Sequence, residues 1–159
     1  MEYFTLARVL HVIAIVLWIG GVSMVTTVLI PAIKKMKSKE ERISTFETIE
    51  GRFATQAKVA TLLTGITGFY MLCHLNAWDR YLDYRFWWIH AMTLVWFVFT
   101  LILFVLEPLF LHKVFKKYAN ENPEKTFQIM HRAHWVLLLI SIITIIGAVA
   151  GSHGWFFIK

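Results

Sequence analysis

Four long apolar stretches dominate this chain of 159 residues. They run over about residues 4–30, 54–75, 86–111 and 133–157. About 20 apolar residues cross a hydrocarbon core of about 30 Å as one helix. With 58% hydrophobic and only 16% charged residues, the composition excludes an ordinary water-soluble domain. We therefore expect an all-α integral membrane protein, with residues 1–159 forming a single domain, an up-down-up-down bundle of four transmembrane helices.

The positive charges are concentrated between these stretches. Twelve of the 16 lysines and arginines lie between the first and second stretches, between the third and fourth stretches or, for Lys58, just inside the second stretch: Lys34, Lys35, Lys37, Lys39, Arg42, Arg52, Lys58, Lys113, Lys116, Lys117, Lys125 and Arg132. The other four are Arg8, Arg80, Arg85 and Lys159. The positive-inside rule then predicts a bacterial inner-membrane protein with both termini and the loop 75–85 on the periplasmic side. The net charge of +6 therefore indicates topology rather than nucleic-acid binding.

Both cytoplasmic connections carry helix-start signals. Ser38 followed by Glu41 fits a capping box, and Asn122 followed by Pro123 fits an N-cap with proline at the first helical position. After Ser38, apolar residues recur every three or four positions: Ile43, Phe46, Ile49 and Phe53. We expect an amphipathic cytoplasmic helix that lies at the interface or extends the second span inward. The fourth helix should begin well before the lipid.

Seven histidines are the main polar anomaly of the chain. An ionisable side chain within hydrocarbon is costly, so it is a functional candidate by default. Each apolar stretch carries one histidine toward the outer side: His11, His74, His90 and His153. Spans one and three are diagonal in such a bundle, as are spans two and four. We expect His11 with His90, and as a second pair His74 with His153, to be axial ligands of one or two haem b groups. Separate structural hydrogen bonds or another metal are the alternatives.

Two further residues share the helical face of His11. Arg8 lies one turn closer to the outside and is expected to bind a haem propionate, with Arg80 or Arg85 from the outer loop. Its alternative role is to extend toward lipid phosphates. Trp18 lies two turns further in and is expected to contact the cofactor, although aromatic residues on such a face are more often ordinary packing.

The inner ends of spans three and four carry a second polar group of residues. His112, His131 and His134 either form an inner metal or haem site or are solvated or lipid-facing residues among the neighbouring lysines. Glu107, directly before Pro108, either carries protons, binds a quinone headgroup or pairs with a lysine.

Bis-histidine ligation favours electron transfer over gas binding, so we expect a quinol-linked cytochrome that reduces a periplasmic acceptor. Copper handling by the four outer imidazoles is the alternative, because imidazole also suits copper. No nucleotide-binding or hydrolase motif is present in the sequence. The oligomeric state is left open, and no catalytic residue is assigned.

The segment LHVIAIVLWIGGVSMVTTVLIPAI, residues 10–33, resembles the first span of CopD-like membrane proteins, and the closing GAVAGSHG strengthens this likeness. The resemblance implies a four-helix core related to copper-resistance permeases and b-type haem proteins, with His11, Trp18 and the outer histidines at matching positions. A weaker similarity links the histidine and tryptophan of this segment to HemJ-type protoporphyrinogen oxidases. That similarity implies a haem-dependent oxidoreductase.

Overall fold

The computed structural model describes residues 2–155 except the side chain of His112, and all its long elements are helices. They are α1 (Glu2–Lys34), α2 (Lys39–His74), α3 (Tyr84–Leu111), α4 (His112–Glu121) and α5 (Pro123–Ser152). A short 3₁₀ turn, Trp78–Leu82, lies in the connection between α2 and α3. The predicted all-α class is confirmed for these residues.

Three of the described helices, α1, α3 and α5, are long and apolar enough to cross a membrane. This finding supports a multi-pass membrane protein. The second predicted span lies in α2, which is not among the three because Lys58 and several threonines and glycines dilute its apolar residues. The fourth transmembrane crossing therefore stays a prediction.

Both predicted helix starts are confirmed. The Ser38 hydroxyl accepts a hydrogen bond from the Glu41 N–H at 3.2 Å, and the Asn122 side-chain oxygen accepts one from the Lys125 N–H at 3.0 Å. Because α2 is continuous from Lys39, its amphipathic first part extends the second stretch inward rather than forming a separate interfacial helix.

The fourth predicted span is too long at its outer end. Helix α5 ends at Ser152, and His153 follows it as the C-cap. The apolar composition of the last residues suggested a helix to 157, but glycines at 151 and 154 flank the turn that ends it. Residues 156 and 157 lie outside the described part of the chain.

The four long helices form a closed ring of neighbours. Helix α1 packs on α2, α3 packs on α5, and contacts of α2 with α3 and of α1 with α5 complete the ring. Between them lies a core to which all four contribute: Ala14, Trp18, Ile19, Val22, Ala57, Ala60, Val95, Phe99, Leu103 and Leu138. Trp18 of α1 meets Phe99 of α3 edge to face, with ring centroids 4.8 Å apart, so side chains fill the centre at this level.

A second apolar cluster closes the inner end. Ile30 and Ile33 of α1 pack there against Phe46 of α2 and Phe127 of α5, with Phe115 of α4 beside them. Phe127 is fully buried. If this end projects into water, as the topology predicts, burying such a side chain stabilises the fold by about 1.5–3 kcal/mol. The extensions that the topology predicts to be cytoplasmic therefore pack on one another.

Helical glycines leave space that aromatic rings of neighbouring helices occupy. An added Cβ at Gly147 would lie 2.5 Å from the Trp87 ring, and one at Gly65 would lie 2.7 Å from the Trp96 ring. Gly151 contacts the Trp88 ring in the same way. These glycines thus permit ring-to-backbone packing, one form of the close approach through which membrane helices associate.

Candidate functional site

His11 is held by the neighbouring helix α2. Its Nδ1 lies 2.9 Å from the Thr67 hydroxyl oxygen. Gly68 is next to the ring, where an added Cβ would come within 3.2 Å of the His11 Cε1. The imidazole is half-buried, and its orientation is fixed by a hydrogen bond with Thr67 and by contact with the backbone at Gly68.

The hydrogen bonds of Thr67 decide the role of each His11 ring nitrogen. The Thr67 hydroxyl has one proton, which it donates to the Leu63 carbonyl at 2.6 Å. Its oxygen must then accept from His11, so Nδ1 carries the ring proton and Nε2 is left as a base. A histidine that donates through one nitrogen and keeps the other unprotonated has the arrangement found in metal-ligating histidines.

Two buried polar atoms near this part of the core have no hydrogen-bond partner among the described residues. They are the Trp18 Nε1 and the Thr61 Oγ1. Trp18 is 3% exposed and Thr61 is fully buried. An unsatisfied buried donor is costly and calls for a reason, such as a ligand or a water that supplies the missing acceptor.

The four outer histidines have separate surroundings. His74 is exposed and stacks between Phe4 and Tyr70, with ring centroids 5.2 and 5.8 Å away. His90 is also exposed, and its ring meets Tyr81 edge to face at 5.1 Å. His153 bonds through Nδ1 to the Val149 carbonyl of its own helix.

No hydrogen bond or ring contact between any two of these imidazoles occurs in the described part of the chain. Direct contact of His11 with His90, or of His74 with His153, is therefore absent among the described residues. Their pairing as axial ligands stays a prediction.

The arginines predicted to bind propionates are also dispersed. Arg8 is exposed one turn before His11. Arg85 pairs with Asp83 at 2.6 Å, and this hydrogen-bonded guanidinium lowers the pKa of the Asp83 carboxyl. Arg80 lies over the Phe86 ring at 5.2 Å. Of the three, Arg8 is the one on the His11 face with no partner among the described side chains.

At the inner end, His131 compensates for a proline in α1. The π-helical turn Val25–Leu29 directs the Ile30 N–H to the Val25 carbonyl, and Pro31 has no N–H to offer. The buried Thr26 carbonyl thus lacks both backbone donors that a helix would provide. The His131 Nε2 lies 2.9 Å from this oxygen.

The proton of His131 is assigned from this contact. Trp135 Nε1 also lies 3.1 Å from the same ring nitrogen, but one nitrogen cannot both donate to the carbonyl and accept from the indole. The Thr26 carbonyl is an acceptor only and is fully buried, whereas Trp135 is exposed. We therefore assign the proton to Nε2, which makes His131 a structural donor.

His134 is half-buried and bonds through Nδ1 to the Met130 carbonyl of its own helix. The side chain of His112 lies outside the described part. Among the described residues, no three His, Cys, Asp or Glu side chains are grouped so as to hold a metal ion. In the predicted inner site, His131 therefore donates to a backbone carbonyl of α1 and His134 donates to one of its own helix.

Glu107 forms an ion pair across two helices. Its carboxylate lies 2.6 Å from the Nζ of Lys58 on α2, so of the three roles considered for Glu107 the pairing with a lysine is observed. Pro108 directly after it lies within the π-helical part of α3, Ile102–Leu111. π-helical segments often occur at functional sites.

The sequence interpretation missed the polar face of α2. Thr61, Thr64 and Thr67 are all buried, and Thr67 orients His11. Their spacing of three residues puts them on nearly one side of the helix, and three threonines at this spacing in an apolar stretch were the available signal.

Comparison of the chain with protein-family models, with curated proteins and with solved structures finds no match.

Proposed function

We propose that this chain is an integral membrane haem b protein that transfers electrons, linked to quinol, with His11 as an axial ligand. The observation that carries the proposal is the His11 ring, whose Nδ1 donates to Thr67 and whose Nε2 is left as a base. Neutral imidazole in this arrangement is the usual protein ligand of haem iron.

Buried residues deeper in the bundle than His11 fit such a group in their donor chemistry. Trp18 Nε1 and Thr61 Oγ1 are buried donors that lack an acceptor among the described residues, and a polar ligand in the core would supply one. Gly68 lets the His11 ring approach the backbone of α2 closely. Of the first predicted ligand pair, His11 fits this role but His90 does not, because His90 is exposed and packs on Tyr81.

Each residue has a definite task in this proposal. Thr67 fixes the tautomer and the direction of the His11 ring, and Arg8 one turn outward supplies a cation for a propionate. Buried Trp18 and Phe99 exclude water from the centre of the bundle. Bound haem iron would supply one-electron transfer.

The proposal includes the topology that the charges predict. Helix α2 would be the fourth transmembrane crossing, with its polar threonines turned into the bundle and away from lipid. Both termini would then lie on the periplasmic side of a bacterial inner membrane, and electrons would pass from quinol to a periplasmic acceptor.

An optical spectrum and a pyridine haemochrome assay of the purified full-length chain test the proposal. We expect a reducible Soret band that is lost in His11→Ala and kept in Gln128→Ala, the control at an exposed polar residue outside the candidate site. A folded, colourless wild-type protein would contradict the proposal. Copper in stoichiometric amount without haem would instead favour the CopD-like alternative.

A further inference from the structure

The Lys58–Glu107 ion pair is the one charged contact that the described residues form between two predicted spans. The Lys58 side chain is 32% exposed and that of Glu107 is 24% exposed, so the pair is partly open to its surroundings. Each residue lies four positions inside the inner end of its predicted span, which is about 6 Å at about 1.5 Å per residue. The charges therefore lie just within the predicted hydrocarbon region.

The surface next to this pair, on the side of the membrane centre, is apolar. Leu62 follows Lys58 by four residues and Phe104 precedes Glu107 by three, so each is one turn deeper on the same helical face. Both are exposed, at 49% and 37%. A polar site thus opens onto an apolar surface along α2 and α3.

The chemistry of the pair selects an uncharged headgroup. The ammonium only donates hydrogen bonds and the carboxylate only accepts them, and together they carry no net charge. A matching ligand has a carbonyl for Lys58, a hydroxyl for Glu107 and an apolar tail for Leu62 and Phe104. A lipid-soluble quinone, with its quinol form, has these features, whereas a phospholipid phosphate would lie further out in the headgroup region.

The backbone beside Glu107 is irregular in a way that suits such a site. Pro108 lacks the N–H that would bind the Leu103 carbonyl in the π-helical pattern of Ile102–Leu111. Hydrogen bonding on this turn is therefore incomplete within the backbone. This irregularity supports a functional rather than a purely structural role for the segment.

From this placement we infer that Lys58 and Glu107 form the headgroup site of a membrane quinone at the inner end of the α2 and α3 interface. The inference rests on the proposed function, because it names the site at which the proposed haem protein would bind its quinol.

The test is binding of decylubiquinone and decylubiquinol to the full-length chain in phosphatidylcholine nanodiscs. Glu107→Gln and Lys58→Met should each weaken binding about tenfold or more, because each removes hydrogen bonds to a charged group. Lys117→Met, at an exposed lysine of α4, is the control and should bind as the wild type does. Lys58→Arg keeps the charge and the donors, so it should fold and retain binding within about threefold.

Absence of quinone binding to the wild type, or wild-type binding by Glu107→Gln, would overturn the inference. So would displacement of the quinone by added phosphatidylethanolamine or phosphatidylglycerol, since the site would then be a phospholipid site. If either Glu107→Gln or Lys58→Met does not fold, the other decides, because each removes one member of the pair. Wild-type binding by the variant that folds would overturn the inference.

Haem is measured on the same preparations. A colourless protein that binds quinone through Glu107 would refute the proposed function but not this inference. A haem protein that binds quinone equally well without Glu107 would refute this inference alone.

Discussion

His11 and His131 both bond to a neighbouring helix, but they donate to different kinds of acceptor. His131 gives its Nε2 proton to the Thr26 carbonyl, an acceptor left without a backbone donor by Pro31. His11 gives its Nδ1 proton to the Thr67 hydroxyl, which already donates elsewhere, and keeps Nε2 as a base. Each neutral ring keeps one unprotonated nitrogen, Nδ1 of His131 and Nε2 of His11, so the acceptor is what separates them. Removing His131 leaves a buried backbone carbonyl unpaired, whereas removing His11 leaves a hydroxyl that still donates to Leu63.

The largest expected effect on stability is that of removing the His131 ring. His131→Ala leaves the buried Thr26 carbonyl without a donor, so we expect the free energy of unfolding to fall by about 1–3 kcal/mol. Denaturant unfolding in detergent micelles measures this change. In a Pro31→Ala background the restored N–H can serve a carbonyl of this turn, and the loss should be smaller. An equal loss in both backgrounds would contradict the assigned role of His131.

A smaller effect is expected from removing the orienting hydroxyl of Thr67. Thr67→Val keeps the shape and removes one hydrogen bond to His11, so it should lower the free energy of unfolding by about 0.5–1.5 kcal/mol. The tautomer preference of His11 should also weaken, which ¹⁵N NMR of the ring nitrogens detects. Thr64→Val is the control, since the Thr64 hydroxyl bonds only to Ala60 of its own helix. Unchanged His11 nitrogen shifts in Thr67→Val would show that the ring is oriented by other contacts.

The smallest effect is expected at Gly68. An added Cβ would lie 3.2 Å from the His11 Cε1, so Gly68→Ala requires the ring to move by a few tenths of an ångström. Because alanine also favours the helix, the net change in unfolding free energy should be within about 1 kcal/mol. Gly20→Ala is the control because open space surrounds its added Cβ, and it should be neutral or stabilising. If the proposed function holds, Gly68→Ala should shift the optical spectrum while Gly20→Ala does not.

Hydropathy and capping signals predicted much of the fold because they act locally. Ser38 and Asn122 mark helix starts through their own neighbours in sequence, and the long apolar stretches mark three helices that can cross a membrane. The end of α5 at Ser152 was missed, because the apolar residues near it extend beyond the turn that ends the helix.

The surroundings of the histidines were harder to predict, since depth along a helix does not give its rotation. His11 and His90 have similar expected depths, but one bonds to Thr67 on α2 and the other packs on Tyr81 in the outer connection. The Thr67 contact joins residues 56 positions apart. Such a pairing depends on how two helices pack, which one-dimensional spacing does not encode.

The bond between His131 and Thr26 also has a consequence for biosynthesis. Helix α1 is synthesised long before the His131 ring that hydrogen-bonds to its Thr26 carbonyl, because the two residues are 105 positions apart. During this interval water or the insertion machinery must supply the hydrogen bond to the Thr26 carbonyl oxygen. Synthesis of α5 would remove that requirement, so a helix that is made later completes the hydrogen bonding of one that is made earlier.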